Sequence, residues 1–360
     1  MVVAGRRILL WTAAFSMAAT GCKPTEPRAE GSTTPTPAGS DVRPSKRERD
    51  GGTEADRGRD GNGRDGDGRN GATERGGRTI AARGTDTTLD IASWNVEWFG
   101  DPTHDPFNDE LQRQNVHDII AGTNADIWGL AEIVDIGAWK RLKESLPEYE
   151  GFLANEDAVR DHASYYGITE QKVGVLYKRS VAKLLDARVV LPQSNDDFAG
   201  RPPLQVRLRV TVQGKTEDLV LMVVHMKATQ DESSWGKRSR AAAALKRYLD
   251  ATWPTERVLV VGDWNDNVTR SITRGKPSPY ATFVDDATHY RFLTQTLAAR
   301  GDRSTAGGNE LIDHQLASQA LARTELPNSI EVNRVDRMVP NYRRTTSDHF
   351  PVISHFTVGR

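Results

Sequence analysis

The sequence predicts a layered α/β domain carried at the end of a long disordered leader, and three observations support this. From Leu89 onward, short runs of branched aliphatic residues alternate with longer amphipathic stretches, the pattern of strands and helices stacked in layers. Between residues 23 and 87 there is almost no aromatic or branched aliphatic residue, so that stretch lacks the material for a core. The apolar runs also end repeatedly in ionisable or amide side chains. The 37% hydrophobic content of the 360-residue chain therefore averages two unlike parts.

Residues 1–22 run from Arg6 and Arg7 through an apolar segment, Ile8 to Ala19, into small residues, as a secretory signal peptide does. The segment is too short for a transmembrane helix. AATGC resembles a bacterial lipoprotein processing box whose cysteine, here Cys22, becomes the acylated new N-terminus, so a membrane anchor is expected at Cys22. Ala19 stands where that box usually has leucine, which leaves cleavage without lipidation open. The expected location is the bacterial envelope, periplasmic or surface-exposed, and otherwise extracellular.

Residues 23–87 are first rich in Pro and Thr and then in Gly, Arg and Asp, and they are expected to be a disordered linker. As a Gly-rich coil the linker reaches about 45 Å. DGNGRDGDGRNG superficially resembles an EF-hand loop, but Arg64 falls where a third ligand is needed and Asp65 where the glycine is needed. The third expected unit is residues 88–360.

Cys22 is the only cysteine, which rules out an intrachain disulfide and a cysteine-built zinc site. The whole chain carries 48 basic and 49 acidic residues, of which residues 88–360 hold 33 and 37, a net of −4. This argues against nucleic-acid binding through bulk positive charge, though not against an enzyme that uses a bound cation and a local patch.

Strands are expected at 89–95, 125–132, 173–178, 204–212, 218–226, 257–264, 311–318 and 351–358, most of them apolar along their length. Helices are expected at 107–121, 136–146, 236–251 and about 290–299. No internal repeat is present, and a monomer with no protein partner is expected.

Four strands finish in Asn95, Glu132, His225, and Asp263 with Asn265. In layered α/β folds, rigid strands deliver such side chains to one rim. Singly, each reads more readily as a turn, cap or structural residue. Asp263 and Asn265, two apart on an extended segment, are expected to point the same way, and His314 to point away from Asp313.

Together the segments WNVEWF, LAEI, VHMK, GDWND, LIDHQLAS and SDHFPV resemble, in order and spacing, the signature segments of the endonuclease/exonuclease/phosphatase superfamily over residues 88–360. The resemblance implies a four-layered α/β sandwich, two packed mixed β-sheets flanked by helices, with a divalent-metal phosphohydrolase site on one rim. It implies Asn95, Glu132 and Asp348 as metal-side residues. Asp263 orients or deprotonates the attacking water, and Asn265 donates to a phosphoryl oxygen. His349 touches the scissile phosphate, Asp313 holds the tautomer of His349, and His225 is the second imidazole. Glu170 is the candidate for a glutamate that supports His225 in deoxyribonuclease-like members.

Phosphodiester hydrolysis needs an in-line water, charge cancellation on the phosphoryl oxygens and a stabilised leaving oxygen. Oxygen-rich, thiol-free ligands suit Mg2+ or Mn2+, with Ca2+ as a further candidate. The activity expected is a metal-dependent phosphodiesterase, foremost an endonuclease on DNA or RNA. The alternatives are a phosphatase or sphingomyelinase-like lipid phosphodiesterase of the same fold, or an inactive surface binding module.

The basic residues of the 236–251 helix, Arg238 among them, read as a solvated face. Trp94, Trp98, Trp128 and Trp264 read as core rather than base-stacking residues. Arg343 and Arg344, just ahead of SDH, are candidates for substrate-backbone contact.

Overall fold

The computed structural model describes residues 79–162 and 164–359. The signal-peptide segment, Cys22 and most of the linker lie outside the described residues. In chain order the elements are β1 (Leu89–Phe99), α1 (Asp109–Thr123), β2 (Ile127–Ile133), α2 (Ile136–Ser145), β3 (Tyr149–Leu153), β4 (Lys172–Lys178), β5 (Ala182–Val189), β6 (Leu204–Val212) and β7 (Lys215–His225). They continue as α3 (Glu232–Thr252), β8 (Val258–Asp263), α4 (Ala281–Val284), β9 (Tyr290–Phe292), α5 (Gln295–Arg300), β10 (Asp313–Ser318), α6 (Gln319–Ala322), β11 (Glu331–Val332), α7 (Tyr342–Thr345) and β12 (Val352–Phe356).

The strands form two six-stranded sheets, β11-β12-β1-β2-β4-β3 and β5-β6-β7-β8-β10-β9. Each is mixed: β1 and β2 are parallel in one and β7 and β8 in the other, and the remaining pairs are antiparallel. Ile91, Ile127 and Val175 of the first sheet meet Val206, Leu221, Val223 and Val261 of the second in one buried cluster. On the outer face of the first sheet, Val116 and Ile120 of α1 and Trp139 and Leu142 of α2 cover Trp94, Trp128 and Leu130. On the outer face of the second, Ala241, Leu245 and Leu249 of α3 cover Met222, Val224 and Val260. This is the expected four-layered sandwich. Strands apolar on both faces follow from burial on both faces, and each buried aliphatic side chain contributes about 1.5–3 kcal/mol.

The three longest helices begin where side chains cap them. Asn108, Asp135 and Asp231 accept hydrogen bonds from the amides of Leu111, Ala138 and Ser234 and start α1, α2 and α3. The Asp231 cap places the start of α3 four residues before the expected 236. The expected helix at 290–299 divides into β9 and α5, because Tyr290 and Phe292 alternate as a strand pairing with β10.

Two glycines allow close approaches beside the site, one between the sheets and one between neighbouring strands. A β-carbon on Gly129 of β2 would lie 2.5 Å from Val261 Cγ2, so the sheets meet there only because it is absent. Gly262 has φ +135°, and a β-carbon on it would lie 2.0 Å from the Val224 carbonyl oxygen.

The last residues of the expected linker differ from the sequence reading. Arg83 and Gly84 donate their amides to Thr123 O, and Ile80 packs on the cluster over the first sheet. A single aliphatic side chain with backbone pairing is enough to dock residues 79–87, which composition averaged over a longer window conceals.

Candidate active site

The strand ends of both sheets meet at one rim. In the parallel register of β7 and β8, His225 lies opposite Asp263, and in the antiparallel register of β8 and β10, Asp263 lies opposite Asp313. From the other sheet come Asn95 of β1 and Glu132 of β2, together with Asp348 and His349 just ahead of β12. Asn95 ties the sheets together: its Nδ2 donates to Glu132 Oε1 at 2.8 Å and to Asp263 Oδ2 at 3.1 Å. The Asn95 oxygen is occupied by the Glu97 amide at 2.9 Å. Asn95 thereby stands between Glu132 and Asp263, at the metal-side position expected of it.

Glu132 Oε2 accepts from the Trp98 amide at 3.1 Å. The backbone here is unusual: Glu97, Trp98, Glu132 and Asn265 all have positive φ near +46° to +64°, and the β1/β2 register slips between Asn95 and Phe99. Strain of this kind gathers at functional sites. Asn265 is thus not on an extended segment, since β8 ends at Asp263. Its left-handed turn still returns the amide to Asp263 Oδ2 at 2.9 Å and to Met226 O at 3.2 Å. The Asn265 backbone amide donates to Asp263 Oδ1 at 2.8 Å.

His225 Nε2 stands 3.5 Å from Glu132 Oε1 and 3.7 Å from Asp263 Oδ2. Its buried Nδ1 has no hydrogen-bond partner among the described residues. Glu170 does not fill that role: its carboxylate is exposed and accepts from the Gly167 amide at 2.6 Å. A turn closed by its own side chain holds it away. Arg201, which no sequence signal singled out, donates to the carbonyl oxygens of His225 and Met226 at 3.3 and 3.1 Å and to Gln171 Oε1 at 3.0 Å. Burial, then the nearby Arg201 charge, push the His225 pKa well down, so this ring is neutral.

His349 Nδ1 meets Asp313 Oδ2 at 2.7 Å, and its Nε2 is 3.6 Å from Asp348 Oδ1 and 3.9 Å from Asp263 Oδ2. Burial alone would lower its pKa, but the charges of Asp313, Asp348 and Asp263 overcome this and hold it well above the ordinary value. Ser347 Oγ sets the segment by donating to Asn95 O at 2.7 Å and accepting from the His349 amide at 2.9 Å. Burial, opposed by His349 and aided by Asp313 and Glu132, raises Asp263 to about 7. Burial also raises Glu132, and Asp348 adds to it. Glu97, missed in the sequence although it lies inside WNVEWF, is raised to about 8 by burial and by Asp348. Arg343 opposes the shift, its Nη1 reaching both Glu97 oxygens at 2.8 and 3.1 Å.

Two sets of ligand atoms lie within 4.8 Å of one another, Glu132 with His225 and Asp263, and Asp263 with Asp313 and His349. Asp348, expected beside Glu132 as a ligand, belongs to neither set and stands at the outer edge with its side chain 38% exposed. Glu132 and Asp263 already hold raised proton affinities, and the oxygen and imidazole donors here fit a hard dication.

Other expectations follow the structure closely. His314 faces away from the rim: its Nε2–H donates to Asp266 O and its Nδ1 accepts from Thr294, with the pKa lowered to about 3 by burial. Trp94, Trp128 and Trp264 are fully buried, whereas half-buried Trp98 stacks on His104 at 3.8 Å. Arg238 corrects the solvated reading of its helix. It is wholly buried, pairs with Asp266 at 2.8 Å, and donates to Lys227 O and Thr229 O at 2.8 Å each and to Thr273 Oγ1 at 3.1 Å. It thereby fastens together the segments that follow β7 and β8.

A model described as Endonuclease/Exonuclease/phosphatase family matches residues 92–349. The chain belongs to this family, and the family and the site together define a metal-dependent phosphohydrolase. A sequence comparison with curated proteins gave no match. Among solved structures, the fold is similar to a humanized TDP2 from D. rerio, at 17% identity and TM-score 0.53 over 75% of this chain and 99% of that one. It is similar to an endonuclease/exonuclease/phosphatase from Bacteroides vulgatus at 16% identity and TM-score 0.54, over 76% of this chain and 100% of that one. The human Nocturnin catalytic domain with bound sulfate gives 15% and 0.52, over 76% and 94%.

Proposed function

We propose that the protein is a metal-dependent phosphodiesterase that cuts nucleic acid, foremost as an endonuclease, after export to the cell envelope. The observation that carries this reading is the convergence of Glu132, His225, Asp263, Asp313, Asp348 and His349 from both sheets on one rim.

Glu132, beside Asn95, would hold Mg2+ or Mn2+, with Asp348 at the outer edge. Such a cation supplies charge for the phosphoryl and leaving oxygens. Asp263, with a pKa near neutrality, takes the proton of a water aligned for in-line attack. The new P–O bond forms as the P–O bond to the leaving oxygen breaks, giving a phosphate monoester and an alkoxide that takes a proton from solvent to become the alcohol. His349, protonated and oriented by Asp313, neutralises charge growing on the phosphoryl oxygens. Neutral His225 contributes an imidazole nitrogen without adding positive charge.

Two observations support nucleic acid over a lipid phosphodiester. The large exposed apolar side chains among the described residues are four, Phe107, Ile136, Ile168 and Leu185, too few for an extended apolar face suited to a bilayer. A similar D. rerio TDP2 structure, at 15% identity, is complexed with single strand DNA product. Export and anchoring rest on the signal-like segment and the position of Cys22.

Incubating the protein with plasmid, and separately with sphingomyelin vesicles, in Mg2+ tests the substrate class. Plasmid nicking that EDTA abolishes and Mg2+ restores is expected, and lipid turnover without nicking refutes the reading. Asp263→Ala and His349→Ala should each lower hydrolysis of bis(p-nitrophenyl) phosphate on the order of a hundredfold or more. Unchanged rates in folded variants would exclude the site and favour a binding module. For the anchor, Cys22→Ser should move the protein from the membrane fraction to the soluble one.

A further inference from the structure

Beside the catalytic rim lies a groove of about 440 Å3 with a cationic lining. One wall is the segment at Arg303 and Ala306, and the other is α7 with Asn341 ahead of it. The groove's wall is tied to the segment that carries Asp348 and His349: the Ala306 amide donates to Asp348 O at 2.6 Å, Thr305 bridges to His349, and Phe350, whose amide donates to Ser304 O at 2.7 Å, lines the groove. Phe350 follows Asp348 by two residues, about 7 Å along an extended chain, so a ligand spanning groove and rim is no larger than neighbouring phosphates on one strand.

The charge balance favours an anion. Arg344 is exposed and makes no ion pair among the described residues, and Arg303 spends one nitrogen on Gly308 O at 3.1 Å. Arg343 is held by Glu97 through Nη1 alone and is 46% exposed. The acidic side chain in the lining, Asp336, is already neutralised by Arg334 at 2.7 Å. A concave row of guanidinium groups suits phosphates.

Resting on the nucleic-acid reading above, we propose that Arg303, Arg343 and Arg344 form a subsite for the backbone phosphates flanking the scissile one in a nucleic-acid strand. Bulk charge gave no sign of it, because the folded part is net acidic and the arginines come from two segments forty residues apart.

The test uses the full chain and a short fluorescein-labelled single-stranded oligonucleotide, with anisotropy measured in EDTA across a salt series. Each phosphate contact on a single strand contributes about 0.7 to the slope of log K against log salt. Arg303→Ala/Arg344→Ala should therefore lose about 1.4 from the slope and bind on the order of tenfold more weakly. Arg303→Lys/Arg344→Lys should recover most of the slope. With Mg2+, the loss on the oligonucleotide should exceed any change on bis(p-nitrophenyl) phosphate at least fivefold.

An unchanged slope, or equal losses on both substrates, overturns the proposal. So does loss of binding to phosphatidylglycerol vesicles with oligonucleotide binding intact, which assigns the groove to a lipid surface. If the intact protein hydrolyses the small diester but no polynucleotide, the activity reading fails by itself, and the anisotropy series still decides the groove.

Discussion

Replacing Asp313 with asparagine removes a charge while keeping shape. Asp313 Oδ2 accepts from His349 Nδ1 at 2.7 Å in a buried setting, and a hydrogen bond between charged partners contributes about 1.5–3 kcal/mol. If that bond holds the imidazolium that stabilises the transition state, kcat should fall about ten- to a hundredfold. The pH profile separates this role from simple packing. His349 is held well above its ordinary pKa by Asp313, Asp348 and Asp263 against the opposing effect of burial, so activity declines at high pH as the ring loses its proton. In Asp313→Asn that decline should begin at lower pH. The linked stability has a definite sign: the raised pKa stabilises the fold below the unfolded value of about 6.5, and the contribution disappears as pH rises through the folded value. The variant's stability deficit should therefore be largest in acid and vanish in alkali. The assay is kcat for bis(p-nitrophenyl) phosphate against pH, with urea melts over the same range. A folded variant with wild-type kcat and an unshifted alkaline limb would refute the role assigned to Asp313.

Arg238→Met should lower stability by about 3–5 kcal/mol, because it strands the buried Asp266 charge, and the double variant with Asp266→Leu should recover much of it. Thermal melts check this, and a single variant as stable as wild type would show that the pair is dispensable. Glu97→Gln addresses the carboxyl raised from 4.5 to about 8: stability tied to its proton is present below about 4.5 and lost as pH rises through 8. Without divalent cations the glutamine variant should lose less stability across that window, as urea titration at several pH values would show. In the metal-free wild type, an NMR titration of the Asp263 carboxyl should show a midpoint near 7, and adding Mg2+ should move it lower; a midpoint in the ordinary carboxylate range would refute the buried setting assigned to it.

Most of the fold was legible because its strands are apolar on both faces and bounded by polar residues. The expected run 204–212 coincides with β6, and the errors occur where tertiary context decides. β3 and β5 carry exposed residues amid buried ones, so no apolar run announces them, and β9 exists because β10 pairs with it. Within the site, residues at strand ends were readable one by one. Their division of labour was not, because it depends on cross-sheet distances: Asn95 turns its nitrogen rather than its oxygen toward Glu132, and Asp348 stands outside the tight clusters. Arg238 shows the limit of charge patterning. Nothing within α3 separates its one buried guanidinium from the solvated ones beside it, since the partner, Asp266, comes from a different layer.

The contact at Gly129 has a mechanical consequence. With only hydrogen between β2 and Val261, the two sheets pack closely two to three residues before Glu132 and Asp263, whose carboxylates share the Asn95 amide. Reactive geometry is thereby set by the thickness of an apolar seam that never touches water or substrate. A single methyl at Gly129 would act as a shim, spreading the two halves of the rim while every polar group stayed in place. Turnover in such a protein is a gauge of interior spacing, and pressure or heat that changes that spacing will register in the rate before it registers in unfolding.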